Sequence, residues 1–171
     1  AGRVTLQKGP EFFLDAAKKV LEKEDKVKFV MAGSGDMLNR MIEKSAAMGM
    51  ADKFLFTGFY TRKQAEELFS MADVFVMPSV SEPFGIVPLE AMYKGTPAII
   101  SKQSGCSEVL KNTLKVDFWD IDEMANKIIS VVRHNPLKET MSQNGLVEME
   151  KMGWEGPAEK CVEAYSRVAK W

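Results

Sequence analysis

The chain has 171 residues, with 23 Lys and Arg against 24 Asp and Glu, a formal net charge of −1 and a pI near 6.0. This length fits one domain with a substantial core, and the balanced charge argues against nucleic acid or an anionic membrane as a partner. Two cysteines without metal-site spacing, the lack of a long apolar run and the lack of a secretion pattern predict a reduced, cytoplasmic protein without a transmembrane segment.

Strand and helix patterns alternate along the chain, which predicts an α/β fold with a parallel sheet flanked by helices. A glycine-bounded loop at residues 2–9 precedes a helix that Pro10 opens. Strands are predicted at 26–32, 53–57, 74–77, 97–100 and 114–118, and three helices follow the last strand, the final two at 137–152 and 156–170. Thr61 with Gln64 forms the pattern of a capping box, and Asp120 is an N-cap candidate.

The other elements are arranged around residues 72–92. A short apolar strand ends at Pro78, a polar turn containing Glu82 follows, and a helix begins near Gly85 and ends at Gly95. In an open α/β sheet, such a turn lies at the carboxyl ends of the strands, where ligands bind. This stretch is therefore the first place to look for a site.

Two glutamates flank the turn. Glu90 is expected about five residues into the helix, roughly 7–8 Å beyond Glu82 at ~1.5 Å per residue. Between them the unpaired backbone N–H groups of the first helical turn suit a phosphate; they belong to Phe84, Gly85, Ile86 and Val87. Hydroxyls at both carboxylates with phosphate between them describe a nucleotide sugar. The alternative is that both glutamates are ordinary solvent-facing residues.

Two further loops hold candidate binding residues. Arg3 and Lys8 bracket the first loop, where they either neutralise a diphosphate or remain surface charges. Gly33 and Gly35 follow a strand and predict a tight turn that lets backbone approach a ligand, or a simple turn. The third glycine of a dinucleotide-binding pattern is replaced by Leu38, which argues against a nicotinamide oxidoreductase.

The segment Glu82-Pro-Phe-Gly-Ile-Val-Pro-Leu-Glu90 resembles the signature of retaining glycosyltransferases of family 4, in which seven residues separate two glutamates. This family includes the glycogen and starch synthases and has the two-domain GT-B architecture. The blocks around the signature agree in order over roughly residues 2–133: Gly2-Arg3 with Lys8-Gly9, Met31-Ala-Gly-Ser-Gly35, Phe56-Thr-Gly58, Asp73-Val-Phe-Val-Met-Pro-Ser79 and Gly95-Thr-Pro-Ala-Ile-Ile100.

The resemblance implies a carboxyl-terminal, Rossmann-like donor domain of a hexosyltransferase that uses a nucleotide sugar such as a UDP-, ADP- or GDP-hexose. It implies that Arg3 and Lys8 neutralise the leaving diphosphate without a metal or other cofactor. Glu82 would hold sugar hydroxyls near the reacting carbon and Glu90 the ribose. The loop after the strand at 53–57 would lie along the base; its residues are Gly58, Phe59 and Tyr60, whose aromatic side chains are otherwise packing residues.

In the family, a buried strand near the middle of the sheet runs into Gly2-Arg3, and an amino-terminal domain supplies the acceptor site. The present sequence starts at Ala1, so a poorer sheet is expected there, with little transfer by the isolated chain. Two alternatives remain: a noncatalytic nucleotide-sugar-binding module, and a GT-B-fold sugar-nucleotide epimerase. The epimerase needs an acid and a base, for which the single histidine, His134, at a predicted helix end, is poorly placed.

Overall fold

The computed structural model describes residues 1–153 and 155–169. Trp154, expected between the last two helices, and Lys170, expected at the end of the final one, lie outside the described residues. Within the described part, parallel strands alternate with α-helices, as the sequence predicts. Each helix of this part is too short or too polar to cross a bilayer.

The strands are β1 Phe29–Ala32, β2 Phe54–Gly58, β3 Phe75–Met77, β4 Ala98–Ser101 and β5 Leu114–Val116. The helices are α1 Pro10–Leu21, α2 Leu38–Ala47, α3 Arg62–Met71, α4 Val87–Tyr93, α5 Cys106–Val109, α6 Ile121–Arg133, α7 Asn135–Lys151 and α8 Glu155–Val168. A 3-10 turn at Leu6–Lys8 precedes α1.

Local signals start these helices where the sequence predicts. Gly9 adopts a left-handed conformation, with φ of 63°, and Pro10 opens α1, where its missing N–H costs nothing. Thr61 and Gln64 form the capping box of α3 by bonding to each other's backbone N–H. The Asp120 carboxylate accepts the Glu123 N–H at the start of α6.

The parallel strands form two groups, β2 with β1 and β3 with β4 and β5. The facing edges of β1 and β3 enclose a cavity of about 530 Å³, here called the central slot, which residues 28–32 and 73–79 line from opposite sides. At its carboxyl end the Gly2 N–H donates to the Ala32 carbonyl over 2.9 Å. The expected weak place in the sheet therefore lies between β1 and β3.

Two apolar clusters hold the layers together. The larger joins α1, α2 and α6 to the sheet and includes Leu14, Met41, Ile99 and Ile128, each at most 1% exposed. The smaller lies on the opposite face, where α3 and α4 pack against β3 and β4, and α7 packs on α4. Strand β4 thus has helices on both faces, as in the doubly wound arrangement of an α/β sheet.

Three details differ from the sequence expectations. The spacing of Ala65, Leu68, Phe69 and Met71 predicts that all four are buried, but Met71 is 79% exposed because it ends α3 at the rim of the central slot. Glu90 lies in the first turn of α4, since the helix begins at Val87 after the left-handed Gly85. The Met and aromatic residues of the last two helices are predicted in a core or an interface, and Tyr165 of α8, at 73% exposed, lies outside the core.

Candidate functional site

The loops that follow the strands meet at the carboxyl edge of the sheet and are joined by backbone hydrogen bonds. The first loop bonds to the loop after β1 through Val4 N–H and the Ser34 carbonyl, at 2.9 Å, and to the loop after β3 through Val80 N–H and the Gln7 carbonyl, at 2.9 Å. These bonds place Arg3 and Lys8 of the first loop along the same edge as Glu82, which is 74 positions beyond Lys8.

The central contact of this edge is an ion pair between the Lys8 ammonium and the Glu82 carboxylate. Their side chains are 23% and 11% exposed, so the pair is largely shielded from solvent. Lys8 ends the 3-10 turn before α1, and Glu82 lies in the turn between β3 and α4. The structure thus joins the predicted phosphate cation to the predicted sugar-binding carboxylate.

Arg3 lies beside this pair at the mouth of the central slot, which Lys8 and Val87 also line. Its side chain is exposed and donates to the Gln7 side-chain oxygen over 3.4 Å, a weak contact. Among the described residues no carboxylate forms an ion pair with Arg3. Its guanidinium is therefore available to an anion at this edge.

The predicted glycine turns lie where backbone segments approach each other. A Cβ on Gly33 would come within 1.7 Å of the Gly2 carbonyl oxygen, and one on Gly35 within 2.3 Å of the Val4 carbonyl oxygen. Gly33 also donates its N–H to the Gly58 carbonyl at 3.0 Å. Here the glycines are needed because the loop packs directly against residues 2–4, with no room for side chains.

The entrance to α4 offers backbone donors beside Glu82. In the described residues, no backbone carbonyl accepts the N–H groups of Phe84, Gly85, Ile86 or Val87. The Phe84 and Ile86 side chains are 41% and 62% exposed, so the segment lies at the surface and is not buried in a core. Gly85, with φ of 96°, makes the sharp turn that brings these donors next to the glutamate.

Glu90 lines a cavity of about 320 Å³ between α3, α4 and the end of α7, and Glu82 is not among the residues that line it. Burial and the nearby Glu90 charge raise the pKa of Tyr60, which therefore remains a neutral phenol and hydrogen-bond donor at neutral pH. Phe59 is 83% exposed. Of the proposed base and ribose residues, Tyr60 and Glu90 lie close together.

The loop after β4, which no sequence motif marks as part of the site, anchors the backbone of Glu82. The Glu82 N–H donates to the Gln103 carbonyl at 3.3 Å, and its own carbonyl accepts the Gly105 N–H at 2.9 Å. Burial, together with the Glu82 charge, raises the pKa of the nearby Cys106 thiol, which makes it a packing residue and a poor nucleophile. The available signal was the polar, glycine-containing loop that follows the predicted strand at 97–100.

His134 lies away from this edge. It separates α6 from α7, and the neighbouring Arg133 pairs with Glu24, which precedes β1 at the amino end of the sheet. Across the described residues, no three His, Cys, Asp or Glu side chains are grouped so as to hold a metal ion. The groups that the carboxyl edge does present are cations, backbone N–H donors and a carboxylate, which bind phosphates and hydroxyls.

Comparisons with known proteins agree with the fold. A sequence profile of the family described as "Glycosyl transferases group 1" matches residues 1–147. An uncharacterized glycosyltransferase of Methanocaldococcus jannaschii is 36% identical over 169 residues, which are 96% of this chain and 43% of that protein. The chain thus spans less than half the length of the curated relatives that it matches.

Solved structures show the same fold. The carboxyl-terminal domain of a group 1 glycosyl transferase from Francisella tularensis superposes with a TM-score of 0.82 at 24% identity, covering 89% of this chain and 83% of that one. The Anabaena protein HepE, in complex with UDP and glucose, superposes with a TM-score of 0.84 at 21% identity, covering 97% of this chain and 47% of that one.

Proposed function

The chain belongs to the group 1 glycosyl transferases, and on that premise we propose that it is the donor-binding half of a retaining hexosyltransferase of family 4, of the glycogen and starch synthase type. The donor is a nucleotide sugar such as a UDP-, ADP- or GDP-hexose, and the acceptor is a hydroxyl of a glycan or another compound. The proposal rests on one observation above all: Lys8 and Glu82 are in contact at an edge that also holds Arg3.

We assign a ligand group to each of these residues from its position. Arg3, Lys8 and the backbone N–H groups of residues 84–87 bind the diphosphate, and Glu82 accepts hydrogen bonds from sugar hydroxyls. Glu90 and Tyr60 hold the ribose and base, with Phe59 and the glycine turns at 33–35 and 58 completing the nucleotide site. The UDP and glucose bound by the Anabaena protein of the same fold support a uridine nucleotide as the first donor to test.

Catalysis at such a site is electrostatic. Departure of the nucleoside diphosphate places negative charge on the leaving oxygens, and preformed donors stabilise that charge more in the transition state than in the ground state. Arg3 and Lys8 supply fixed positive charge, so the reaction proposed here proceeds without a metal ion. The acceptor attacks on the face that the diphosphate leaves, which retains the configuration of the sugar.

Titration with nucleotide sugars tests the binding site. Separate additions of UDP-, ADP- and GDP-glucose to isotope-labelled protein are expected to shift the backbone amide resonances of residues 33–35, 58–60 and 84–87. The nucleotide sugar whose base fits the loop after β2 should cause the largest shifts at residues 58–60. Shifts confined to α7 and α8 would contradict the proposal.

Turnover by the full-length protein tests catalysis. Replacing Glu82 with Ala is expected to lower kcat by at least about a hundredfold, because the sugar loses its hydroxyl acceptor beside the leaving group. Glu67→Ala, on the exposed face of α3, is the control and should leave turnover unchanged. If the Glu82→Ala protein still binds nucleotide sugar and keeps its physiological role, the result would instead favour a noncatalytic binding module.

The proposal also covers the central slot. The hydrogen bond from the Gly2 N–H to the Ala32 carbonyl is of the kind that a parallel strand placed beside β1 in the slot would make near its carboxyl end. Ladder bonds recur at every second residue, so a residue immediately before Ala1 would donate to Val30. We propose that in the full-length protein a parallel strand fills the slot, and that the acceptor domain precedes it.

Extension of the chain tests the inserted strand. About six β-branched residues fused before Ala1 should protect the amides of Val30 and Val76 from hydrogen exchange, since both N–H groups point into the slot. An extension of the same length, in which Pro replaces two alternate residues, is the control, because Pro cannot donate a hydrogen bond to the neighbouring strand. Equal exchange with both extensions would show that no strand enters.

A further inference from the structure

Lys8 and Glu82 compensate each other's charge in the donor site proposed above. The ammonium has the carboxylate as its ion-pair partner, and both side chains are mostly shielded from water. A diphosphate that binds Lys8 therefore approaches a carboxylate at the same time. The site attracts an anion through Arg3 and Lys8 and repels it through Glu82, so the charge on the ligand near Glu82 matters.

Glu82 cannot easily turn away from such a ligand. Its N–H and carbonyl are both bonded to the loop after β4, at 3.3 Å to Gln103 and 2.9 Å to Gly105. The Gln103 side chain is anchored in turn, since its amide donates to the Asp117 carboxylate over 2.9 Å. The left-handed Gly85 backbone closes the other side, where an added Cβ would lie 3.1 Å from the Glu82 Cγ. The Glu82 backbone and its Cγ are thus held between two loops, and the ion pair with Lys8 orients the carboxylate.

Substrate and product differ in charge at this position. In a nucleotide sugar the terminal phosphate is esterified, and the sugar presents hydroxyl donors. In the free nucleoside diphosphate that phosphate carries a further ionisable oxygen with a pKa near 6, hence about one more negative charge at neutral pH. A fixed carboxylate accepts hydrogen bonds from the first ligand and repels the second.

We propose that Glu82 is a specificity-determining residue that distinguishes the nucleotide sugar from the nucleoside diphosphate left after transfer. The proposal rests on the donor site proposed above. It adds a role in product release. Once the sugar has left, the Glu82 carboxylate repels the additional negative charge on the terminal phosphate. The diphosphate then leaves Lys8, and Lys8 pairs with Glu82 again. The ion pair of the unliganded site is the state to which the protein returns.

Calorimetric titration of the chain with UDP and with UDP-glucose, in the absence of divalent cations, tests this role. Glu82→Gln removes the charge and keeps the shape, so UDP should bind about tenfold more tightly while UDP-glucose binds equally or more weakly. Glu82→Asp keeps the charge on a shorter side chain, so UDP affinity should stay near the wild-type value while UDP-glucose affinity falls. Glu43→Gln, an exposed residue of α2 with the same change in net charge, is the control.

The outcomes separate this inference from the proposed function. An increase in the ratio of UDP to UDP-glucose affinity in Glu82→Gln, with no increase in Glu43→Gln, supports the inference. Equal changes for both ligands, or the same ratio in both variants, would overturn it and leave the donor site standing. Absence of binding by either ligand to the wild-type chain would overturn both. Matching circular dichroism spectra and unfolding midpoints establish that the variants are folded.

Discussion

The two groups of strands differ in how well they are covered. Every residue of β4 is completely buried, with helices on both faces and a strand on each side. The pair β1 and β2 is packed on one face only, where Phe13, Phe29 and Phe54 form a cluster of aromatic rings. On the other face Val30 is 38% exposed and Leu55 is 57% exposed.

This difference separates two kinds of loop at the carboxyl edge. The well-covered group positions Glu82 through the loops after β3 and β4, so the proposed sugar-binding residue rests on the more completely buried strands. The open pair positions the glycine turns and the proposed base residues, which lie next to the central slot. The proposed base end of the site should therefore open more readily to hydrogen exchange than the proposed sugar end.

The largest test of the comparison truncates one apolar side chain in each group. Ile99→Ala in β4 should lower the free energy of unfolding by about 3 kcal/mol, because it leaves a cavity in a fully buried strand. Leu55→Ala in β2 should cost less than about 1 kcal/mol, since more than half of the side chain already contacts water. Urea unfolding measures both, and equal losses would show that the two groups are equally packed.

A smaller effect is expected from a carboxylate that supports the well-covered group. Glu148 on α7 accepts the backbone N–H groups of Lys111 and Asn112 and the Asn112 side-chain amide, all within 2.9 Å. Replacing it with Ala should lower the free energy of unfolding by about 1–2 kcal/mol. Glu150→Ala, on the exposed face of the same helix, is the control and should have little effect.

The Glu148 contribution should depend on pH. Burial alone would raise the pKa of this carboxyl, but the three hydrogen bonds outweigh burial and lower it below its ordinary 4.5. A lowered pKa in the folded state means that the stabilisation is complete above the pKa of the unfolded chain and is lost as pH falls through the folded value. Urea unfolding at pH 7 and at successively lower pH measures this, and a difference between wild type and Glu148→Ala that stays constant as the pH falls would contradict it.

A similarly small effect is expected at the cap of α3, the helix that follows the open pair in the chain. Thr61→Ala removes the acceptor of the Gln64 N–H and should cost about 1 kcal/mol in urea unfolding. Gln64→Ala removes the reciprocal bond, and the double variant should lose less than the sum of the two because both bonds belong to one capping box. Strictly additive losses would indicate that the two side chains act independently.

Local features were predicted well from sequence, because neighbouring residues decide them. The capping box of α3, Pro10 at the start of α1, the Asp120 cap and the order of strands and helices follow from hydrogen bonds and periodicities within a few residues. The turn that carries Glu82 was likewise placed correctly between β3 and α4. Element ends were less well placed: α4 begins later than expected, since Gly85 extends the turn.

The sequence by itself determined the fold class and the positions of the candidate residues along the chain, since both depend on local pattern. Only the tertiary structure decided that Lys8 pairs with Glu82 across 74 positions, that Gln103 and Gly105 hold that glutamate, and that β1 and β3 face each other across a slot. Such contacts depend on how the strands align and on which loops meet at the carboxyl edge. The local sequence pattern does not specify either, because the same pattern of strands and helices is compatible with several strand orders and loop contacts.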